Sequence, residues 1–247
     1  DLIYGLPLQT EESFAETLDR ILELRPDRLS VFNYAHLPER FKPQRRINAD
    51  ELPDALTKLA IHHQSIEKLT AAGYRNIGMD HFALPDDTLT QHQDDGTLHR
   101  NFQGYTTHSQ CDLIGLGVSS ISQIGDYYLQ NSPNIERYTQ DIESQGSALT
   151  KEYCLNEDDK IRRAVITRLI CDFQLDFADQ SKALNIDFKE YFANELKLLE
   201  PMAQDGLIHL REDGMDVTAA GRLLIRRICM TFDAYIDHSE QRFSKII

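Results

Sequence analysis

Arg28-Leu29-Ser30-Val31-Phe32-Asn33-Tyr34, followed by Ala35-His36-Leu37-Pro38, is the stretch on which the fold turns. Its β-branched and aromatic residues, closed by a proline loop, read as a strand. On its N-terminal side Phe14, Leu18, Ile21 and Leu22 recur at helical spacing, which predicts an amphipathic helix over residues 11–24. Thr10 suits the N-cap, Glu11 and Glu12 the first turn, and Pro26 ends the segment. Further back, Leu2-Ile3-Tyr4-Gly5-Leu6-Pro7 is a strand entering a Gly/Pro loop.

On the C-terminal side a basic, turn-rich segment (Arg40, Lys42, Arg45, Arg46) leads to a helix from about Asp54 to Ala72, with Gly73 fitted to its C-cap. Tyr74 to Met79 is a third strand, ending in Asp80-His81-Phe82. Strand and helix alternating at this spacing predict parallel βα units, in which ligand-handling side chains gather at strand C-terminal ends. Asn33, Tyr34, Ala35, Asp80, His81 and Phe82 take such positions, whereas Asp1 stands at a strand start. Three βα units neither close a barrel nor bury both faces of a sheet. Together with a start inside a strand and without Met, this leads us to expect part of a longer chain.

Residues 83–110 form a long polar excursion, expected to be a functional or disordered loop. It ends in His99-Arg100-Asn101-Phe102-Gln103-Gly104-Tyr105-Thr106-Thr107. The run Leu113-Ile114-Gly115-Leu116-Gly117-Val118-Ser119-Ser120-Ile121-Ser122 then reads as a small-residue strand that lets another body approach its backbone. That body is either a ligand or a packed helix. A short helix around Ile135 to Ser144 precedes a boundary near Gly146, so the chain divides into 1–150 and 151–247. In the second part Asn156 caps a helix carrying Ile161, Val165, Leu169 and Phe173, and Phe188 to Ala203 is a second helix. Two short strands flank Glu212-Asp213-Gly214, and Thr218 caps a last helix. This is the outline of a winged-helix unit.

The charge balance narrows the functions. With net charge −14 over 247 residues, bulk affinity for nucleic acid or an anionic membrane is not expected. Winged helices that read DNA carry a basic helix, but residues 201–235 hold four Arg against five acids, a local charge of −1. Packing as a lid or dimer element suits them better. No apolar run approaches the ~18 residues of a membrane helix. Cys111, Cys154, Cys171 and Cys229 fall in no CxxC-type spacing, which suits a reducing cytoplasm. His81 after Asp80 is either a proton donor or metal ligand, or a histidine hydrogen-bonded in a loop. His62-His63 read as surface residues. His99-Arg100 either holds a carboxylate-bearing substrate through the guanidinium fork or is a solvated pair.

Six strings, taken together, resemble a known family. They are Asp1–Pro7, Leu29–Pro38, Ile77–Ala83, His99–Thr107, Gly117–Ser122 and Gly221-Arg222-Leu223-Leu224-Ile225-Arg226. In order and spacing the chain resembles, from Asp1 to Ile247, the bacterial oxygen-independent coproporphyrinogen III oxidases, radical S-adenosylmethionine enzymes of haem biosynthesis. The resemblance implies an α/β fold: part of a (β/α)6 partial TIM-type barrel, plus a mostly helical C-terminal domain with a winged-helix-like end. It implies two S-adenosylmethionine molecules near a [4Fe–4S] cluster, and a 5′-deoxyadenosyl radical that abstracts hydrogen from a propionate of coproporphyrinogen III. Loss of CO2 then leaves a vinyl group. It places Asp1 and Ala35 on the second S-adenosylmethionine with Gln103 and Phe102 near it, and Ile121 on the first. It also implies a cytoplasmic monomer.

The family's CxxxCxxC motif has no counterpart in the sequence, and none of the four cysteines replaces it. The chain alone is therefore expected not to carry out the radical chemistry. A non-catalytic haem-binding chaperone on the same scaffold is the alternative.

Overall fold

β1 (Leu2–Tyr4) runs parallel to β2 (Arg28–Asn33), with Ile3 opposite Phe32, in a computed structural model that describes residues 1–236. The expected body 151–247 extends beyond that range, and residues 237–247 lie outside the described residues. α1 (Glu11–Leu24) lies between the two strands and starts where the sequence predicts. The Ser13 N–H donates to Thr10 Oγ1 while the Thr10 N–H donates to Ser13 Oγ, so two otherwise orphaned donors are satisfied. Two short 3-10 turns, Lys42–Arg46 and Ala49–Glu51, lead into α2 (Ala55–Ala71), whose N-cap Asp54 accepts from the Thr57 N–H. Alternation along the strands sends Tyr4, Leu29 and Val31 to the face that α1 and α2 cover. There they pack with Phe14, Leu18, Ile61, Leu69 and Phe82 in one buried core.

The third strand departs from the parallel pattern. β3 (Arg75–Gly78) turns at Met79-Asp80, and β4 (His81–Ala83) returns antiparallel between β2 and β3, giving the order β1-β2-β4-β3. Gly78 (φ 148°) and Met79 (φ 50°) supply the positive dihedrals this tight reversal needs. Asp80 is therefore a turn residue, and Phe82 is a core residue with no access to ligand.

The polar excursion is ordered, and the loop expected there is not found. α3 (Thr88–Asp94) is capped by Asp87 and buries Leu89, and β5 (His99–Asn101) pairs with β6 (Gly104–Thr106) in a hairpin. The small-residue run is likewise no continuous strand. Leu113 makes one bridge to Gln123, and Gly117 (φ 98°) and Ser119 (φ 60°) turn the chain. Only Ile121–Ile124 forms β7. It pairs antiparallel with β8 (Tyr127–Asn131), and after α4 (Ile135–Gln145) the sheet is completed by β9 (Leu149–Cys154).

α5 (Glu157–Asp172) opens the C-terminal body with the capping box Asn156–Asp159. β10 (Gln174–Asp176) and α6 (Phe177–Leu184) follow. The helix expected over 188–203 is broken at Phe192 into α7 (Phe188–Tyr191) and α8 (Ala193–Gln204). β11 (Ile208–Leu210) and β12 (Gly214–Val217) join β10 in an antiparallel sheet, order β10-β12-β11. α9 (Ala219–Leu223), capped by Thr218, and α10 (Ile225–Met230) follow.

A second, larger core joins this body to the first sheet. Ile77, Ala83, Leu89, Leu98 and Tyr105 are buried with Val165, Leu169, Phe173, Leu175 and Phe232. Gln93 Nε2 bridges the joint by donating to the carbonyls of Ile77 (2.7 Å) and Cys171 (2.9 Å). Arg168 donates to the Gly96 and Leu98 carbonyls and pairs with Asp172 at 2.9 Å. The C-terminal body thus covers the β3–β4 end of the sheet face that α1 and α2 leave free.

Candidate functional site

The β1–β2 end of that same face stays open. Ile3 and Phe32, register partners, form its floor, with Ile3 46% exposed. Alternation puts Asp1 on the Ile3 side of the sheet. His81, register partner of Ser30, marks the border with the covered end, its ring edge-on to Phe32 (5.9 Å) and to Tyr105 (5.3 Å). Arg100 is the cross-strand partner of Tyr105, and its guanidinium lies over that ring at 5.6 Å. His81, Tyr105 and Arg100 therefore wall an apolar floor.

The β5–β6 hairpin is held in this place from behind. The Tyr105 hydroxyl donates to the Ile170 carbonyl (3.0 Å), and a Cβ on Gly78 would overlap that hydroxyl. Only glycine at 78 lets Tyr105 pass. His99, on the opposite strand face from Arg100, has its imidazole pKa lowered by burial and by Arg168 and Arg163. The pair His99-Arg100 is thus divided, and only Arg100 belongs to the open face.

Burial sets the charge states. Desolvation, reinforced by Arg100, lowers the His81 pKa to about 4, so its ring is neutral at pH 7. Its Nδ1 is buried without a hydrogen-bond partner, as is Arg100 Nε. Burial raises the Asp80 carboxyl pKa, against the opposing pull of Arg226 and Arg100.

The residues singled out for S-adenosylmethionine fall into two groups. Phe102 and Gln103 sit exposed at the tip of the β5–β6 hairpin, where the Gln103 N–H donates to Asn101 Oδ1 (2.8 Å). Phe102 meets the Tyr128 ring edge-on at 5.1 Å. Ile121 pairs with Gln130, two residues from Tyr128 along β8, so Phe102 and Ile121 are brought to one side of the β7–β8 ladder. Ala35 is exposed just past β2, its carbonyl accepting from Gln44 Nε2 (3.0 Å). Asp1 is level with Ser30, so five residues, roughly 16 Å of extended chain, separate it from Ala35 along the paired strands.

The chemistry of this set fits S-adenosylmethionine: a carboxylate and an amide for hydroxyl or ammonium donors, and an exposed ring and a branched alkyl group for an adenine face. The cysteines do not fit an iron–sulfur cluster. Cys111 and Cys154 are exposed on separate segments, Cys171 and Cys229 are buried, and burial lifts the Cys171 thiol pKa to about 12. Among the described residues no three His, Cys, Asp or Glu side chains gather as a metal site.

The glycine-rich run has a different explanation from the one its composition suggests. A Cβ on Gly115 would lie 2.7 Å from the Ile121 carbonyl oxygen, so the body that approaches the backbone there is the chain's own β7. Sequence reasoning missed Phe32 and Tyr128. The strand alternation that buries Val31 already turns Phe32 to the other face, whereas nothing local marks Tyr128. A separate open cleft of about 570 Å3 beside Phe177, Asp187, Lys189 and Asp213 contains none of the site residues.

Residues 155–224 match the family model described as "HemN C-terminal domain". The whole chain is 58% identical to an oxygen-independent coproporphyrinogen III oxidase of Pseudomonas aeruginosa, covering 54% of that protein. It is 48% identical to the one of Thermostichus vulcanus, covering 77% of it. A solved structure of coproporphyrinogen III oxidase (HemN) from Escherichia coli, described as a radical SAM enzyme, superposes with a TM-score of 0.92 at 56% identity. That likeness takes in 96% of this chain and 54% of the other. The chain spans about half the length of most of the curated relatives it matches.

Proposed function

The chain belongs to the oxygen-independent coproporphyrinogen III oxidase family, and on that premise we propose that it forms part of an enzyme that oxidatively decarboxylates two propionates of coproporphyrinogen III to vinyl groups. The observation that carries this reading is the likeness to the Thermostichus vulcanus relative, which runs through the entire chain and most of that protein. The geometry supports it: an open apolar floor beside a cationic wall suits a flat tetrapyrrole bearing carboxylate arms.

In this reading the enzyme holds two S-adenosylmethionine molecules. Ile121 lines the first, while Asp1, Ala35, Gln103 and Phe102 line the second. S-adenosylmethionine, when bound, supplies the hydrogen-abstracting radical. The residues of this chain orient it. Asp1 accepts from hydroxyl or ammonium donors, the small Ala35 admits the ligand close to the backbone, and Ile121 with Phe102 keeps water from its apolar side. The sheet β1-β2-β4-β3 belongs to a partial TIM-type barrel, and the unit from α5 to α10 to a winged-helix-like body that packs rather than reads nucleic acid. Elements before about residue 150 carry the site and those after it support it. The protein works as a cytoplasmic monomer without a membrane or nucleic-acid partner.

Anaerobic turnover of coproporphyrinogen III by the full-length protein, with S-adenosylmethionine and a reductant, tests the proposal. Ile121→Asp is expected to remove turnover, because a charge would sit against the apolar pocket. Stoichiometric tight haem binding without turnover in the unsubstituted protein would overturn the reading.

A further inference from the structure

Arg100 differs from Arg162 and Arg168, the ion-paired arginines of the joint. Arg168 is engaged by Asp172 and two carbonyls, and Arg162 by Asp158, Glu195 and the Phe232 carbonyl. The Arg100 side chain makes neither an ion pair nor a hydrogen bond with any of the described residues, and its Nε is sealed from solvent. Its position is nevertheless fixed: it lies over the Tyr105 ring, and Tyr105 is anchored to the Ile170 carbonyl. A held guanidinium with an unused fork, close enough to lower the pKa of a His81 ring that itself meets the half-buried Phe32, is an arrangement that stability alone does not account for. A planar fork of this kind matches a carboxylate through two parallel hydrogen bonds.

We infer that Arg100 receives a carboxylate arm of the substrate, with the tetrapyrrole body lying on Ile3 and Phe32 and His81 Nδ1 turned toward the same arm. The inference rests on the proposed decarboxylase reading and names the residue that orients the substrate within it. A neutral His81 ring can donate one hydrogen bond to that carboxylate without adding charge. Asp80 is the acid that faces Arg100. Burial raises its carboxyl pKa against the pull of Arg226 and Arg100, and it makes no ion pair with the guanidinium.

The test uses the full-length protein with S-adenosylmethionine and reductant. Arg100→Gln is expected to raise the KM for coproporphyrinogen III by about tenfold or more, the loss of one charge-assisted contact. Reductive cleavage of S-adenosylmethionine without substrate should stay at the unsubstituted rate. Arg100→Lys, which keeps the charge and the stem, should fall between the two, and it carries the test if the glutamine variant does not fold. An unchanged KM in Arg100→Lys and Arg100→Gln, with normal turnover, would overturn the assignment while leaving the decarboxylase reading intact. Absence of turnover in the unsubstituted protein would overturn that reading and this inference with it.

Discussion

The two faces of the sheet β1-β2-β4-β3 are built to opposite rules. On the helix-covered face Tyr4, Leu29, Val31 and Phe82 are buried among side chains of α1 and α2. On the other face, at the β1–β2 end, Ile3 stands exposed, Phe32 is half covered, and the adjoining wall leaves His81 Nδ1 and Arg100 Nε without partners. A single strand serves both, since Val31 and Phe32 are neighbours pointing in opposite directions. The β3–β4 end of the sheet is covered on both sides, whereas the β1–β2 end is covered on one and left unsatisfied on the other.

Substitutions should separate the two faces sharply. Phe14→Ala, on the covered face, removes a ring that is 1% exposed. It is expected to cost about 3–5 kcal/mol of unfolding free energy by chemical denaturation. Next in size is a pH effect from the border. The His81 pKa is near 4 in the folded state against 6.5 when exposed, so the unfolded state binds the proton first. Stability is full above pH 6.5 and falls as pH drops from 6.5 toward 4. After allowing for partial exposure the loss is about 2 kcal/mol. His81→Gln should flatten that slope in denaturation midpoints measured across the range. Smallest is Ile3→Ala on the open floor, expected to cost under about 1 kcal/mol, since the side chain is already half in water. A loss of several kcal/mol there would mean that the open face contributes to the core, and the contrast would fail.

The same contrast explains what was legible in the sequence. α1, α2 and α5 announce themselves because periodicity and caps are local: Thr10, Asp54 and Asn156 each hold the donor that their position predicts. The helix-backed face follows from the same periodicity. The β3–β4 reversal does not, because Tyr74–Phe82 as a string fits one strand, and only the pairing of β4 with β2 decides against it. α3 and the β5–β6 hairpin sit in polar sequence, and their order comes from Leu89, Leu98 and Tyr105 entering a core made mostly of residues beyond 160. Gly115 shows the limit most clearly: its composition signals a close approach, but the partner proves to be the backbone of Ile121 six residues on. At the site, Arg100 was legible as a type of residue. That it and not His99 faces the floor depends on register, which the sequence does not print.

The shared core has a consequence for how the polypeptide can be divided. Ile77, Ala83, Leu89, Leu98 and Tyr105 are lodged among residues from α5, β10 and the segment after α10. A gene split near codon 150, however natural the seam looks in the primary structure, would leave both products with greasy, unmatched surfaces. They should be insoluble when expressed separately and recoverable only when co-expressed. Recombination between relatives should likewise succeed with breakpoints that keep residues 77–105 and 165–232 from the same parent.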